Sequence, residues 1–338
     1  MSDEKKSVWG NQETEFFLAL TPEKILDAIE TSTGLRCTGR VLALNSMENR
    51  VYEVEIEMDT PPKNPSERFL ICKFYRPGRW SYATILDEHQ FLLELKDAEI
   101  PVVAPLPFLD GRTLHELDSK ALYYTTFPKC AGRSPDELND DQLAQVGRLL
   151  ARMHGVGAMH TAPHRMTLNP VTYGLENLRY LMETNSLPLD VSALYEKTVQ
   201  AICSKAEPLF QACKTQRIHG DCHFGNLIFG REGFSFVDFD DMINGPIVQD
   251  IWLVIPGRDQ ESKMQLEMLI EGYEMMRPFD RAGLKLIEPL RALRFVHFSA
   301  WIARRWQDGA FPKAFPNFGT AVYWRSQLQD LQEQLDLI

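Results

Sequence analysis

The residues best equipped for chemistry lie in one stretch, His219-Gly-Asp-Cys-His-Phe-Gly-Asn226, followed by Phe236-Val-Asp-Phe-Asp-Asp241. Asp221 and Asn226 fall on a loop. A short apolar strand and a turn near residues 230–233 follow, and a second strand ends at Asp238. Such a hairpin gathers a carboxylate, an amide and a second carboxylate. Phosphoryl transfer from Mg-ATP calls for that set: a carboxylate to orient or deprotonate the attacking hydroxyl, and oxygen ligands for a hard cation. Gly220 and Gly225 let the loop bend and bring its backbone close to a ligand. A polar hairpin with surface acids is the bland alternative. It would account for a lone His-Gly-Asp, but poorly for an Asn five places after the Asp and another Asp about a dozen residues beyond.

The same chemistry needs a cation for the phosphates. Lys73 lies inside an expected strand, Phe69 to Tyr75, where a lysine in isolation would more often just face solvent. A helix expected from Ser81 to Asp97 carries Glu88. A strand lysine followed by a helix glutamate is the ion-pair arrangement that aims an ammonium at the α- and β-phosphates. Asp87 and Glu94 compete for that role. Leu86, Leu93 and Leu95, read as a buried stripe beside Glu88, favour Glu88. The loop Asn45-Ser-Met-Glu-Asn-Arg50 is either a cover for the phosphates, with Ser46 as donor, or a plain hairpin turn rich in turn-forming residues.

The elements that must position these groups change character along the chain. Thr21 caps a helix from Pro22 to Glu30, with proline at its first position. Arg40 to Leu44 reads as a strand. Tyr52, Val54, Ile56 and Met58 alternate with Glu53, Glu55 and Glu57, the period-two signature of a half-buried strand. Ala121 to Phe127 is a further strand, running into Pro128. Helical patterning then takes over. Ser134-Pro-Asp-Glu137 has the form of a capping box, and Leu143, Val146, Leu150 and Met153 recur at helical spacing. Further helices are expected over 175–184, 191–213, 261–276, 282–306 and 318–335. Asp250 is read as a buried acid taking N–H bonds from the 219–226 loop, with a surface cap as the alternative. Arg304 and Arg305 either line a substrate groove or are solvated or paired with acids, the second being favoured. His154, His160 and His164 have no ligand partner in the sequence and are not read as a metal site.

Composition narrows the partners. A chain of 338 residues, 44 % hydrophobic and 25 % charged, has the make-up of a soluble globular protein long enough for two cores. A formal charge of -11 argues against generic nucleic-acid or anionic-membrane binding. Six scattered cysteines without zinc spacing suit a reducing compartment. The polar opening Met1 to Lys6 has no signal-peptide core, so the cytoplasm is the expected location.

Through residues 44–52, 73–77, 88–91, 219–226, 237–241, 244–250 and 304–313 the chain resembles the bacterial stress response kinase A family. That family lies in the aminoglycoside phosphotransferase-like branch of the protein-kinase superfamily. The resemblance spans nearly the whole length. It implies an α+β, two-lobed, protein-kinase-like fold. Residues 1–127 would form a small antiparallel-sheet N-lobe, and residues 128–338 a mainly helical C-lobe. It further implies a serine/threonine protein kinase using ATP and Mg²⁺, acting on proteins in a stress response and on itself. Carried over by motif position, Asp221 is the base or hydroxyl-orienting acid and Asn226 and Asp238 hold magnesium, Asp238 also counting as catalytic. Ser46, Lys73 and Glu88 serve the nucleotide. Asp238 takes the place of the Asp-Phe-Gly aspartate, although this chain has Asp-Phe-Asp there, so a part for Asp240 or Asp241 stays open. About ten residues separate Asp238 from Asp250, too few for a regulatory activation segment. Nucleic-acid and membrane partners are not expected, and a monomer is the working assumption. The rival readings are a kinase of an amino alcohol, sugar or antibiotic, and a nucleotide-binding regulator without turnover.

Overall fold

The computed structural model describes residues 17–18, 20–118 and 121–338; the polar opening at residues 1–6 lies outside them. The chain divides into two compact units, Met1–Glu137 with Phe224–Asp240, and Leu138–His223 with Asp241–Ile338. Among the described residues no helix is long and apolar enough to cross a membrane.

In the first unit, helix α1 (Pro22–Thr33) starts at Thr21, whose hydroxyl accepts from Lys24 N, and stops at Gly34 with a left-handed φ of 72°. Five antiparallel strands follow: β1 (Cys37–Leu44), β2 (Arg50–Ile56), β3 (Phe69–Phe74), β4 (His115–Leu117) and β5 (Leu122–Pro128), in the order β1-β2-β3-β5-β4. The alternation in β2 buries Val54 and Ile56. Met58 lies past the strand end and is exposed. Ile25 and Ile29 of α1 join Val54, Ile56, Leu70 and Phe74 in one apolar cluster. Each such side chain, fully buried, contributes about 1.5–3 kcal/mol. Helix α2 (Tyr82–Asp97) begins at Ser81, whose hydroxyl accepts from Thr84 N. Its buried side is Ile85, Glu88, Phe91, Leu92 and Leu95. The stripe expected from the sequence is therefore corrected: Leu95 belongs to it, whereas Leu86 is exposed and Leu93 only half-buried. A hairpin of β6 (Leu227–Gly230) and β7 (Gly233–Phe236) completes this unit.

The second unit is helical. Helix α3 (Asp140–Gly157) carries a capping box, but at Asn139 and Gln142 and not at Ser134, whose hydroxyl donates to Gly225 O at 3.2 Å. Helices α4 (Glu176–Glu183) and α5 (Leu189–Gln211) precede a strand β8 (Gln216–Ile218), which pairs antiparallel with β9 (Ile243–Gly245). Then come α6 (Val248–Val254), α7 (Gln260–Glu274), α8 (Ile287–Arg304), α9 (Ala310–Ala314) and α10 (Ala321–Leu337). Helices α3 and α7 meet backbone to backbone. A Cβ at Gly147 would lie 2.0 Å from Leu269 O, and one at Gly272 would lie 2.3 Å from Ala144 O. The five-stranded sheet followed by a helical region is the α+β kinase-like arrangement expected from the sequence.

Candidate active site

Lys73 sits in the sheet's interior, on β3 between β2 and β5, opposite Val51 and Thr125. Its ammonium is buried and ringed by acids: Asp240 Oδ1 at 3.1 Å, Asp238 Oδ1 at 3.4 Å and Glu88 Oε1 at 3.7 Å, with the Tyr75 ring centroid 4.8 Å away. Burial alone would lower its pKa. The fields of Asp240 and Glu88 outweigh that and hold it well above the ordinary lysine value. The lysine is a fixed positive charge. Glu88 is fully buried and accepts a bond from Tyr75 Oη at 3.4 Å, and Tyr75 Oη also meets His89 Nε2 at 3.0 Å.

Asp238 and Asp240 flank Phe239, which is buried and packs edge-on against Phe91 of α2 with centroids 5.9 Å apart. The two acids are used differently. Asp238 has a left-handed φ of 59°, rare for a residue with a side chain, and such conformations gather at functional sites. Its side chain is 58 % exposed, against 5 % for Asp240. Asp240 is an internal anchor. Its Oδ2 accepts from Asn49 Nδ2 at 3.2 Å and from the Arg79 guanidinium.

Those bonds reach the loop between β1 and β2. Asn49 Oδ1 accepts from Arg76 N at 3.1 Å, Arg76 Nε donates to Glu48 O at 3.0 Å, and both Arg76 and Arg79 lie within ion-pair distance of Glu48. Ser46 Oγ accepts from Asn49 N at 3.2 Å, so the serine shapes the loop by a local bond. Asn226 O accepts from Val237 N at 3.0 Å, tying the segments that carry Asn226 and Asp238. Oxygen donors of this kind, one amide and one exposed carboxylate, suit a hard divalent cation.

Asp221 lies in the second unit, on the loop after β8. Asp250 of α6 holds that loop from below: it is fully buried and accepts from His219 N at 2.9 Å and from Gly220 N at 2.8 Å. The role read for Asp250 in the sequence is met. Gln249 Nε2 donates to Gly220 O at 2.9 Å, and His154 Nε2 stands 3.1 Å from Asp250 Oδ2. His154 thus has the carboxylate partner that the sequence did not reveal, contributed by a residue ninety-six places away. Gly220 has φ +86°, and a Cβ there would lie 2.2 Å from Asp241 O, so the position demands glycine. The Asp221 side chain is gripped separately, Oδ1 by Arg294 Nη2 at 2.9 Å and Oδ2 by His223 Nε2 at 3.4 Å. Burial would raise its pKa; the His223 bond and the Arg294 guanidinium overcome this and hold it well below the usual carboxylate range. Burial, with Asp250 and Asp221 nearby, pushes the Cys222 thiol up, which favours its neutral form.

Of the residues singled out in the sequence, Lys73, Glu88 and Asp238 meet in the first unit, where Ser46 joins them through Asn49 and Asp240. Asn49, Arg79 and Arg294 were missed, and Asp240 was left without a role. Asn49 and Asp240 lie inside the motifs that carried the family resemblance; Arg79 and Arg294 have no local signal. Arg304 is exposed, as the favoured solvated reading has it, and it donates to Asn177 Oδ1 at 2.7 Å and lies over the Tyr180 ring at 4.4 Å.

The phosphotransferase enzyme family matches residues 41–287. The chain is 40 % identical to stress response kinase A of Escherichia coli (strain K12), over 95 % of this chain and 94 % of that one. It is equally similar, with the same coverage, to the serine/threonine protein kinase RdoA of Salmonella typhimurium (strain LT2). Among solved structures, the amicoumacin kinase hAmiN in complex with AMP-PNP, Ca²⁺ and Ami shares the fold. Its TM-score is 0.72 at 18 % identity, over 93 % of this chain and 92 % of that one. With that family model matching most of its length and relatives 40 % identical over 95 % of it, the chain belongs to the phosphotransferase enzyme family.

Proposed function

We propose that this protein transfers the γ-phosphate of ATP, with Mg²⁺, to serine or threonine hydroxyls of proteins and of itself, within a stress response in the cytoplasm. The observation that carries the acceptor class is the 40 % identity to a serine/threonine protein kinase across 95 % of the chain. Six free cysteines suit a reducing compartment. In this reading residues 1–127 form the nucleotide-covering lobe and residues 128–338 the acceptor-side lobe.

Lys73 positions the α- and β-phosphates, aimed by Glu88 and Asp240. Ser46 and the loop around it cover the phosphates. Asn226 and Asp238 would hold magnesium, which when bound would neutralise charge developing on the transferred group. Among the described residues no cluster of three or more His, Cys, Asp or Glu would hold a metal alone. Asn226 and Asp238 would supply the protein's share of the oxygen donors that such an ion needs. Asp221 orients the acceptor hydroxyl. Its depressed pKa keeps it ionised and makes it a weak base, adequate where the transition state is loose and little proton transfer is needed.

A small-molecule acceptor is the rival. An amicoumacin kinase, a spectinomycin phosphotransferase and an aminopropanol kinase share the fold, but at 13–19 % identity they speak for the fold alone. Incubation with labelled ATP and magnesium, alone and with cell lysate, followed by phosphosite mapping, tests the proposal. Phosphoserine or phosphothreonine on proteins is the expected result. Label appearing only on small metabolites would transfer the assignment to the rival.

A further inference from the structure

The geometry points to Arg294 as a positioning residue for the transfer step, whose charge selects acceptors with hydroxyls among neutral or acidic neighbours. This rests on reading Asp221 as the acid that orients the acceptor. The loop backbone is fixed by Asp250 and Gln249, whereas the Asp221 carboxylate is aimed by other groups, Arg294 from α8 and His223 from its own loop. Arg294 issues from the middle of an 18-residue helix in which Leu290, Leu293, Val296 and Ala300 are buried, so its guanidinium has a rigid base. One turn earlier Arg291 is committed elsewhere, to Glu288 at 3.4 Å and to the Trp252 ring at 5.0 Å. The arginine given to Asp221 is not a spare surface charge.

Two consequences follow from that contact. First, a guanidinium on Oδ1 fixes which lone pairs face an incoming hydroxyl, and small misplacements of such a group cost rate steeply. Second, an acceptor amine beside the hydroxyl would approach a cation 2.9 Å from the carboxylate it seeks, well inside the roughly 8 Å screening length of physiological salt. The pair is reachable, Arg294 being 37 % and Asp221 23 % exposed. Amino alcohols and aminoglycosides are disfavoured; serines or threonines with acidic neighbours are favoured.

The test measures initial rates of labelled phosphate transfer to dephosphorylated casein, which is acidic, and to histone, which is basic. Wild type is compared with Arg294→Gln, Arg294→Lys and Arg294→Glu, and Arg325→Glu on α10 serves as a charge-matched control in the same unit. Wild type should prefer casein. Arg294→Gln should lower kcat on casein about 10- to 100-fold, with the KM for ATP unchanged. Arg294→Lys should recover part of the rate. Arg294→Glu should move the casein-to-histone ratio toward histone by about tenfold or more, and Arg325→Glu should leave it unchanged. Full kcat in Arg294→Gln, an unmoved ratio in Arg294→Glu, or equal shifts in both Glu variants would each overturn the inference. Wild type labelling neither protein would instead count against the protein-acceptor reading itself.

Discussion

At the scale of single residues, Lys73 and Asp221 are each held by neighbouring opposite charges. Removing Asp221 as Asp221→Ala should lower turnover by roughly 10²–10⁴-fold, the usual size of a general-base or orienting contribution, while equilibrium nucleotide binding largely survives. Lys73 gives a pH prediction whose sign is fixed. Its folded-state pKa is raised above the unfolded value, so its contribution to stability is complete below the unfolded pKa and fades only as pH climbs through the folded one. Nucleotide affinity measured from about pH 6 to 10 should therefore show no loss traceable to lysine deprotonation. An apparent midpoint near 8 or 9 that vanishes in Lys73→Arg would refute it. Asp240→Asn keeps the shape of the anchor but removes the carboxylate nearest the ammonium. It should raise the KM for ATP more than Glu88→Gln does, an ordering that steady-state kinetics reads directly.

Much was legible because local chemistry and period agree. Thr21 with Pro22, the alternation of Val54 and Ile56, and the Asp250 prop all appear where the residues imply. The failures have physical causes. In α2, apolar side chains occur on more than one face, and the tertiary choice buries Ile85, Glu88, Leu92 and Leu95, a stripe of three- and four-residue steps that leaves Leu86 exposed. At the start of α3 two capping signals compete. Asn139 wins with Gln142 at the third helical position, and Ser134 spends its hydroxyl on Gly225 O. Asn139→Ala should accordingly cost about 1 kcal/mol in chemical denaturation, and Ser134→Ala less. Arg79 and Arg294 were illegible for a different reason: their partners lie 161 and 73 residues away, and no spacing rule reaches that far.

For the whole molecule, a chain of net charge -11 must attract a polyanionic nucleotide against its own field. Lys73, Arg76 and Arg79 supply cations in the first unit, but each is already matched to Asp240, Asp238 or Glu48. The metal is therefore expected to carry much of the attraction. Mg-AMP-PNP at one hundred times its Kd should stabilise the protein by about 2.7 kcal/mol, seen as a raised Tm. The shift should shrink without magnesium and in Asp238→Ala, and an equal shift in EDTA would dissociate the metal from binding. The most direct test of the central claim is phosphosite mapping after incubation of wild type and Asp221→Asn with labelled ATP, magnesium and dephosphorylated casein. Wild type should yield phosphoserine or phosphothreonine, and the variant should lose at least roughly 10²-fold of that labelling. Undiminished labelling by Asp221→Asn would contradict it.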